Sequence, residues 1–203
     1  MGGREPGLRE RTRRAVQQEI VETANGLFVA RGYENTTIED IAAAVGMSRR
    51  SVFRYFPTKE DIVVGKFDFV AQDMLVALRA RPAAEPVWES LRRTFDLLVA
   101  YVDAPGQHEV AEPMQRIVFA HRGLLASYLE KLQRMQDAVV SALRERAEAS
   151  GRPYGADDPV PGAVAGAAFG CLLAAQHAWL AGGAKDSFAG TLDRAMAAVA
   201  PRG

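Results

Sequence analysis

The run Thr36-Thr37-Ile38-Glu39-Asp40-Ile41-Ala42-Ala43-Ala44-Val45-Gly46-Met47-Ser48-Arg49-Arg50-Ser51-Val52-Phe53-Arg54-Tyr55-Phe56-Pro57 contains two complete helix signals separated by a tight turn. A threonine supplies the cap of the first helix, Glu39 or Asp40 complements its dipole, and Ile41, Ala42 and Val45 form its apolar stripe. Gly46 ends that helix. Ser48 caps the second, which runs until Pro57 stops it. Short helices over 38–45 and 48–56 have the layout of a helix-turn-helix.

The composition of the second helix gives the pair a chemistry. At ~100° per residue Val52 and Phe56 fall on the packed side, while Arg50, Ser51, Phe53 and Arg54 fall mostly opposite. Residues 46–58 hold three Arg and no acid, so this outer face is expected to carry no neutralising carboxylate. Guanidinium groups bond bidentately to guanine or phosphate, and a hydroxyl or ring edge meets phosphate or a thymine methyl. The bland alternative is a solvated basic helix, with Tyr55 plugging the core at its edge.

Outward from this pair the periodicity stays helical. Val16, Ile20, Ala24, Leu27 and Phe28 form one face of a helix over 11–31, which Gly32 stops. Thr58-Lys59-Glu60-Asp61 reads as a capping box opening one long helix over 58–81, ended by Pro82 and Pro86. Further helices are expected over 87–103, 109–121, 124–150, 162–180 and 186–199. Loops are expected at Pro105-Gly106, Gly151-Arg152-Pro153 and Pro159-Val160-Pro161. No run alternates convincingly and no repeat of fixed period is present, so the fold class is all-α.

Composition excludes other classes. A chain of 203 residues, 48 % hydrophobic, with 18 Gly and 10 Pro, is neither disordered nor collagen-like. Its 25 Lys+Arg balance 25 Asp+Glu. The distribution is uneven, with eleven basic against nine acidic residues over 1–66 and five Arg against two Glu between Arg4 and Arg14. The lone Cys171 cannot staple a secreted scaffold. The first residues lack the apolar stretch of a signal peptide. The apolar stretch beginning at Val160 breaks at Gln176 and His177, short of a membrane span, and reads as a buried helix. A cytoplasmic protein with no membrane partner is expected.

Catalytic signals are weak. His108, His121 and His177 stand in no HxxxH or HExxH arrangement, His108 beside Glu109 and Glu112 is the nearest thing to a metal cluster, and Cys171 lies in an apolar helix that favours inertness. No phosphate-binding glycine loop and no GxSxG is present. The sequence predicts no enzyme, no metal and no cofactor.

Ala24-Asn25-Gly26-Leu27-Phe28, Arg31-Gly32-Tyr33, Thr36 to Ala42, Val45-Gly46-Met47-Ser48, Phe53 to Pro57 and Lys59-Glu60-Asp61 form an ordered series of blocks. Over about residues 11 to 66 this series resembles the DNA-binding domain of TetR-type transcriptional regulators. Residues 52–61 are similar to an actinobacterial branch that includes mycofactocin-type regulators. The resemblance implies an all-helical homodimer with a three-helix head at 11–57, behind a flexible basic arm at 1–10. It implies a ligand-binding and dimerising body at 58–203, joined to the head by helix 58–81. It also implies that Thr37, Ser48, Arg49, Arg50, Ser51, Phe53, Arg54, Tyr55 and Lys59 approach double-stranded operator DNA; on their chemistry, Arg49, Arg50, Ser51, Phe53 and Arg54 are expected in the major groove, and Tyr55, Lys59 and the N-terminal arginines on phosphates.

The body carries no pattern transferable residue by residue. Phe67, Trp88, Phe95, Tyr101, Met114, Phe119, His121, Tyr128, Phe169, Gln176 and His177 are the candidate walls of a pocket for a small, largely apolar effector, although plain core is the bland reading of most of them. Gly162, Gly166, Gly170 and Leu173, with Phe188, Leu192 and Met196 on the last helix, are the candidate dimer seam. The expected function is a repressor released from its operator by that effector. Competing readings are a helical interaction protein whose basic head binds a protein or anionic surface, and an unrecognised enzyme in the body.

Overall fold

A computed structural model describes residues 7–103 and 108–200, apart from the side chains of Lys66 and His108. The expected loop at Pro105-Gly106, the metal reading of His108 and the arm residue Arg4 lie outside that description. All regular structure among the described residues is helical: α1 (Leu8–Arg31), α2 (Ile38–Ala44), α3 (Arg49–Tyr55), α4 (Lys59–Val64), α5 (Lys66–Ala80), α6 (Val87–Thr94), α7 (Asp96–Asp103), α8 (His108–Ala120), α9 (Arg122–Ala149), α10 (Val160–Ala181) and α11 (Phe188–Val199). Helix α1 begins at Leu8, so the last residues of the expected arm are already helical.

In the head, α1 buries Ile20, Val21, Ala24 and Phe28 against α2 and α4, with Val52 of α3 and Phe56 just beyond it in the same core. Each fully buried large side chain contributes ~1.5–3 kcal/mol, enough to hold the short helices α2, α3 and α4, which would not persist alone. Both expected threonine caps form. Thr37 Oγ1 accepts from Asp40 N–H at 3.1 Å while the Asp40 carboxylate accepts from Thr37 N–H at 2.8 Å, and Thr58 with Asp61 repeats the arrangement. The Thr37 hydroxyl, foremost, holds the Asp40 carboxyl below its usual range.

The single helix expected over 58–81 is two helices. The break is at Gly65, whose N–H reaches back only three residues to Ile62 C=O at 3.2 Å. Its φ of −62° and ψ of −31° are open to any residue, so room selects glycine there. A Cβ would stand 2.7 Å from Phe56 Cε1, 2.9 Å from the Asp61 carbonyl and 3.2 Å from Val21 Cγ2. The helix expected over 87–103 also divides, at Phe95. There Thr94 Oγ1 bonds the Ser90 carbonyl at 2.7 Å, the back-bonding that bends a helix.

In the body, α9 packs against α4, α5, α8 and α10, and α11 lies along α10. Asp103, the last residue of α7, caps α11 from another element by accepting from Phe188 N–H at 3.1 Å and Ala189 N–H at 3.2 Å. Helix α10 is long and apolar enough to cross a membrane by length and composition, and half of its most apolar window is buried inside the protein.

Candidate nucleic-acid interface

Helix α3 stands on the outside of the head with Val52 driven into the core. Ser48 caps it, its Oγ accepting from Ser51 N–H at 3.1 Å and meeting the Ser51 hydroxyl at 2.9 Å. Arg49, Arg50 and Arg54 are exposed, while Ser51, Phe53 and Tyr55 are half-buried. Arginine faces line the edge, with the Arg49 guanidinium 5.2 Å from the Phe53 ring centre and that of Arg54 5.4 Å from the Tyr55 ring centre. Arg13 of α1 lies 5.9 Å from the same Tyr55 ring, which brings one N-terminal arginine to this surface. Arg50 and Arg54 make no ion pair among the described residues.

Two sequence expectations change here. The outer face is not free of acid, because Glu39 of α2 pairs with Arg49 at 2.7 Å, a neighbour that only the packing of α2 on α3 supplies. Lys59 is not a free cation. Its ammonium donates to the carbonyls of Tyr33 at 2.9 Å and Thr36 at 3.2 Å and sits 4.0 Å from the Tyr33 ring centre, so it fastens the α1–α2 connection. The hydroxyls of Thr37 and Ser48 are committed to their caps. Glu60 on the next position accepts from Tyr33 Oη at 2.8 Å, completing the brace around that loop.

The expected pocket residues do not converge on one chamber. Phe95 and Phe169 meet edge-on at 5.5 Å in the core, and Met114 is buried beside the same elements. Phe67, Phe119 and Tyr128 form a second group, with ring centres 4.8 Å and 6.1 Å apart, and Phe119 continues to His177 at 4.4 Å. Trp88 lines a surface groove with Arg92, Asp193 and Met196, and Tyr101 lines a cavity beside α1. His121 is no body wall. It occupies the α8–α9 corner and turns to the head, 3.5 Å from Glu34 and 5.2 Å from the Tyr33 ring, because that corner docks on the end of α1.

The polar centre of the body is Tyr128, fully buried, whose hydroxyl donates to Gln176 Oε1 at 2.7 Å. Burial pushes its phenol well above the ordinary value. Gln115 of α8, which carries no sequence signal, sits beside it with a buried Nε2 that has no hydrogen-bond partner among the described residues. Cys171 is a buried thiol raised by desolvation, its Sγ donating to the Ala195 carbonyl at 3.5 Å.

The expected dimer seam is corrected in part. Phe188, Leu192 and Met196 are buried at 2 %, 0 % and 3 % exposure within the subunit, where α11 uses that face to pack on α10. They are not surface residues. Helix α10 presents Ala163, Ala167, Gly170, Ala174 and Ala178 outward, with Gly162, Gly166 and Leu173 partly exposed at its flanks. A Cβ at Gly162 or Gly170 would meet nothing within 4 Å, and one at Gly166 only Gln136 at 3.5 Å.

Comparison with known proteins agrees with this geometry. The family model described as bacterial regulatory proteins, tetR family, matches residues 20–64, and that described as the MftR C-terminal domain matches residues 85–202, more than half of the chain. The transcriptional regulator TcmR of Streptomyces glaucescens is 33 % identical over 146 residues, covering 70 % of this chain and 64 % of TcmR. The transcriptional repressor LfrR of Mycolicibacterium smegmatis is 37 % identical over 93 residues, 45 % of this chain and 46 % of LfrR. The chain thus spans less than two thirds of either relative. The triclosan complex of SmeT, from Stenotrophomonas maltophilia, shares the fold with a TM-score of 0.60 at 18 % identity, covering 91 % of each chain. With the body matched as well as the head, this chain belongs to the TetR family of bacterial regulatory proteins.

Proposed function

We propose that this protein binds operator DNA as a homodimer, one α3 per half-site in the major groove, and represses transcription until a small, largely apolar ligand releases it. The outer face of α3 carries the reading. Arg50 and Arg54 are exposed on a helix anchored through Val52, which is 0 % exposed, and they have no carboxylate to neutralise them among the described residues. Such guanidiniums suit guanine edges and phosphates. In this reading α1–α3 form the DNA-contacting unit, residues from 58 onward bind ligand and dimerise, and the protein works in the cytoplasm beside the chromosome.

Family membership supports dimerisation, as does the outward face of α10, whose small apolar residues allow a second α10 to approach closely. Two heads about one helical turn of DNA apart then add their energies. The names of relatives support the sign and the trigger, since LfrR is called a repressor and the same fold holds triclosan in SmeT. In the body the Tyr128–Gln176–Gln115 cluster offers polar groups within an apolar surround, which suits the orienting part of an effector site.

The test is selection of bound fragments from a genomic library, followed by titration of the selected duplex and a scrambled one across salt concentrations. Binding is expected to weaken steeply with salt. Arg50→Ala or Arg54→Ala is expected to cost ~1–3 kcal/mol per half-site on the selected duplex and to relax its preference over the scrambled one. Equal losses on both duplexes would remove base readout, and absence of salt-dependent duplex binding would overturn the reading.

A further inference from the structure

Where α5 gives way to α6, residues 82–86 cross the end of α9 and leave a cleft of about 370 Å³, within the range of small-molecule sites. Ala83, Ala84, Pro86 and Val87 on one side and Leu143 and Ala147 of α9 on the other make an apolar wall. Arg146, Arg152 and Tyr154 complete the lining with Glu85 and Ser150. The segment that carries Arg152 and Tyr154 is fixed in place. Arg152 N–H reaches back to the Ala147 carbonyl at 3.0 Å, and Arg144 donates to the carbonyls of Gly155 at 2.8 Å and Asp158 at 2.9 Å.

The charges do not cancel here. Glu85 is already answered, since it accepts from Arg81 and from Ser90 Oγ at 2.7 Å. Arg146 makes no ion pair among the described residues. Its Nη2 donates to the carbonyls of Pro82 and, at 2.8 Å, of Glu85, and its Nη1 is enclosed with no hydrogen-bond partner among the described residues, so this guanidinium supplies field to the cleft and no free donor. Arg152 is exposed and unpaired among the described residues, and Tyr154 is half-buried with a hydroxyl that makes no hydrogen bond among them. Of the acids on α6 and the last turns of α9, Glu89 and Glu145 pair with Arg93 and Arg79, and Glu148 does not line the cleft. The guanidiniums of Arg81, Arg146 and Arg152 thus stand against the single carboxylate of Glu85, beside an apolar wall that strengthens their field.

We propose that this cleft binds a small organic monocarboxylate, its apolar body on the Ala83–Val87 and α9 wall and its carboxylate bonded to the Arg152 guanidinium and the Tyr154 hydroxyl. A guanidinium fork matches a carboxylate, and charge-assisted bonds of this kind are stronger than neutral ones. The site lies at the opposite end of α5 from its junction with α4 and is separate from the Tyr128 cluster. Its occupancy therefore does not depend on how the chain reads DNA.

Benzoate and benzamide, planar rings alike except for the charge, separate carboxylate recognition from simple apolar burial. Each is titrated by calorimetry at constant ionic strength into the full chain without DNA, and nitrogen-resolved NMR maps the site. Benzoate is expected to bind at least about tenfold more tightly than benzamide, the factor that one charge-assisted hydrogen bond supplies, with shifts centred on Ala84, Val87, Ala147 and Tyr154. Arg152→Gln, at an exposed position, is expected to melt with the wild type and to bind the two compounds alike. Ala147→Trp, which fills the cleft from a half-buried position, is expected to bind neither. No saturable benzoate binding, equal affinity of the two compounds for wild type, retained preference in Arg152→Gln, or shifts centred on Tyr128 would overturn the site. A protein that binds benzoate in this way but no duplex DNA would overturn the regulator reading and support the site.

Discussion

Glu39 and Arg49 illustrate how one residue modifies a surface that its neighbours create. Both are more than half exposed, at 57 % and 61 %, so the pair contributes only ~0.2–1 kcal/mol to stability. Its larger effect is on DNA, because Glu39 holds a negative charge beside the arginines. Glu39→Gln is expected to raise duplex affinity and to steepen its salt dependence, measured by fluorescence anisotropy over a salt series. No change in either would place Arg49 away from phosphate. Glu85 is a second such residue, accepting from Arg81 and from Ser90 Oγ. The Arg81 guanidinium foremost, then Ser90, lowers its carboxyl from 4.5 to about 2. A depressed carboxylate stabilises the fold above its unfolded value and loses that contribution as pH falls through the folded one. Glu85→Gln is therefore expected to lower the Tm at pH 7, with the gap to wild type closing between about pH 4.5 and about pH 2. A gap that persists at pH 2 would assign the effect to shape instead.

At the scale of the element, the joint between α4 and α5 sits directly behind the end of α3. Gly65→Ala forces Phe56, the Asp61 carbonyl or Val21 to move, and is expected to cost ~1–3 kcal/mol in denaturant unfolding. Gly26→Ala is the contrasting case, since a Cβ there, in the middle of α1, meets nothing within 4 Å. It is expected to stabilise by ~0.5–1 kcal/mol. Equal effects of the two substitutions would show that helix propensity alone governs both, and that close packing at the joint counts for nothing. The break also means that no single continuous helix joins head and body over 58–81. Motion of α5 reaches the head through a packed corner, with Phe56 and Val21 as the contacting side chains.

On the scale of the whole molecule, α10 carries more apolar surface than one subunit buries. Ala174→Arg places a charge on its outward face while leaving Leu172 and Ala175 in the core. In sedimentation, wild type is expected to run as a dimer at micromolar concentration and the variant as a monomer of unchanged helicity, with operator affinity lost because the heads no longer share one site. A wild-type monomer would refute this arrangement, and a dimeric variant would move the seam elsewhere. The same scale explains why the aromatic residues of the body do not enclose one chamber. Phe95, Phe169 and Met114 are drawn into the core shared by α6, α8 and α10, and Trp88 and Tyr101 emerge on different sides of it.

Local signals along the chain were sufficient for the helices, for the caps at Thr37, Ser48 and Thr58, and for the basic turn-and-helix at 46–58. Each depends on residues within four positions of one another, where spacing alone fixes who meets whom. The breaks at Gly65 and Phe95 were hidden because glycine room and a bent helix are set by what packs across the gap, and the residues across it come from elsewhere in the chain. The same reason covers Glu39 facing Arg49, Lys59 bracing the α1–α2 loop, and the burial of Phe188, Leu192 and Met196. An amphipathic stripe says that a side chain is covered. Which element covers it, and whether its polar atoms find partners there, is settled only when the helices pack.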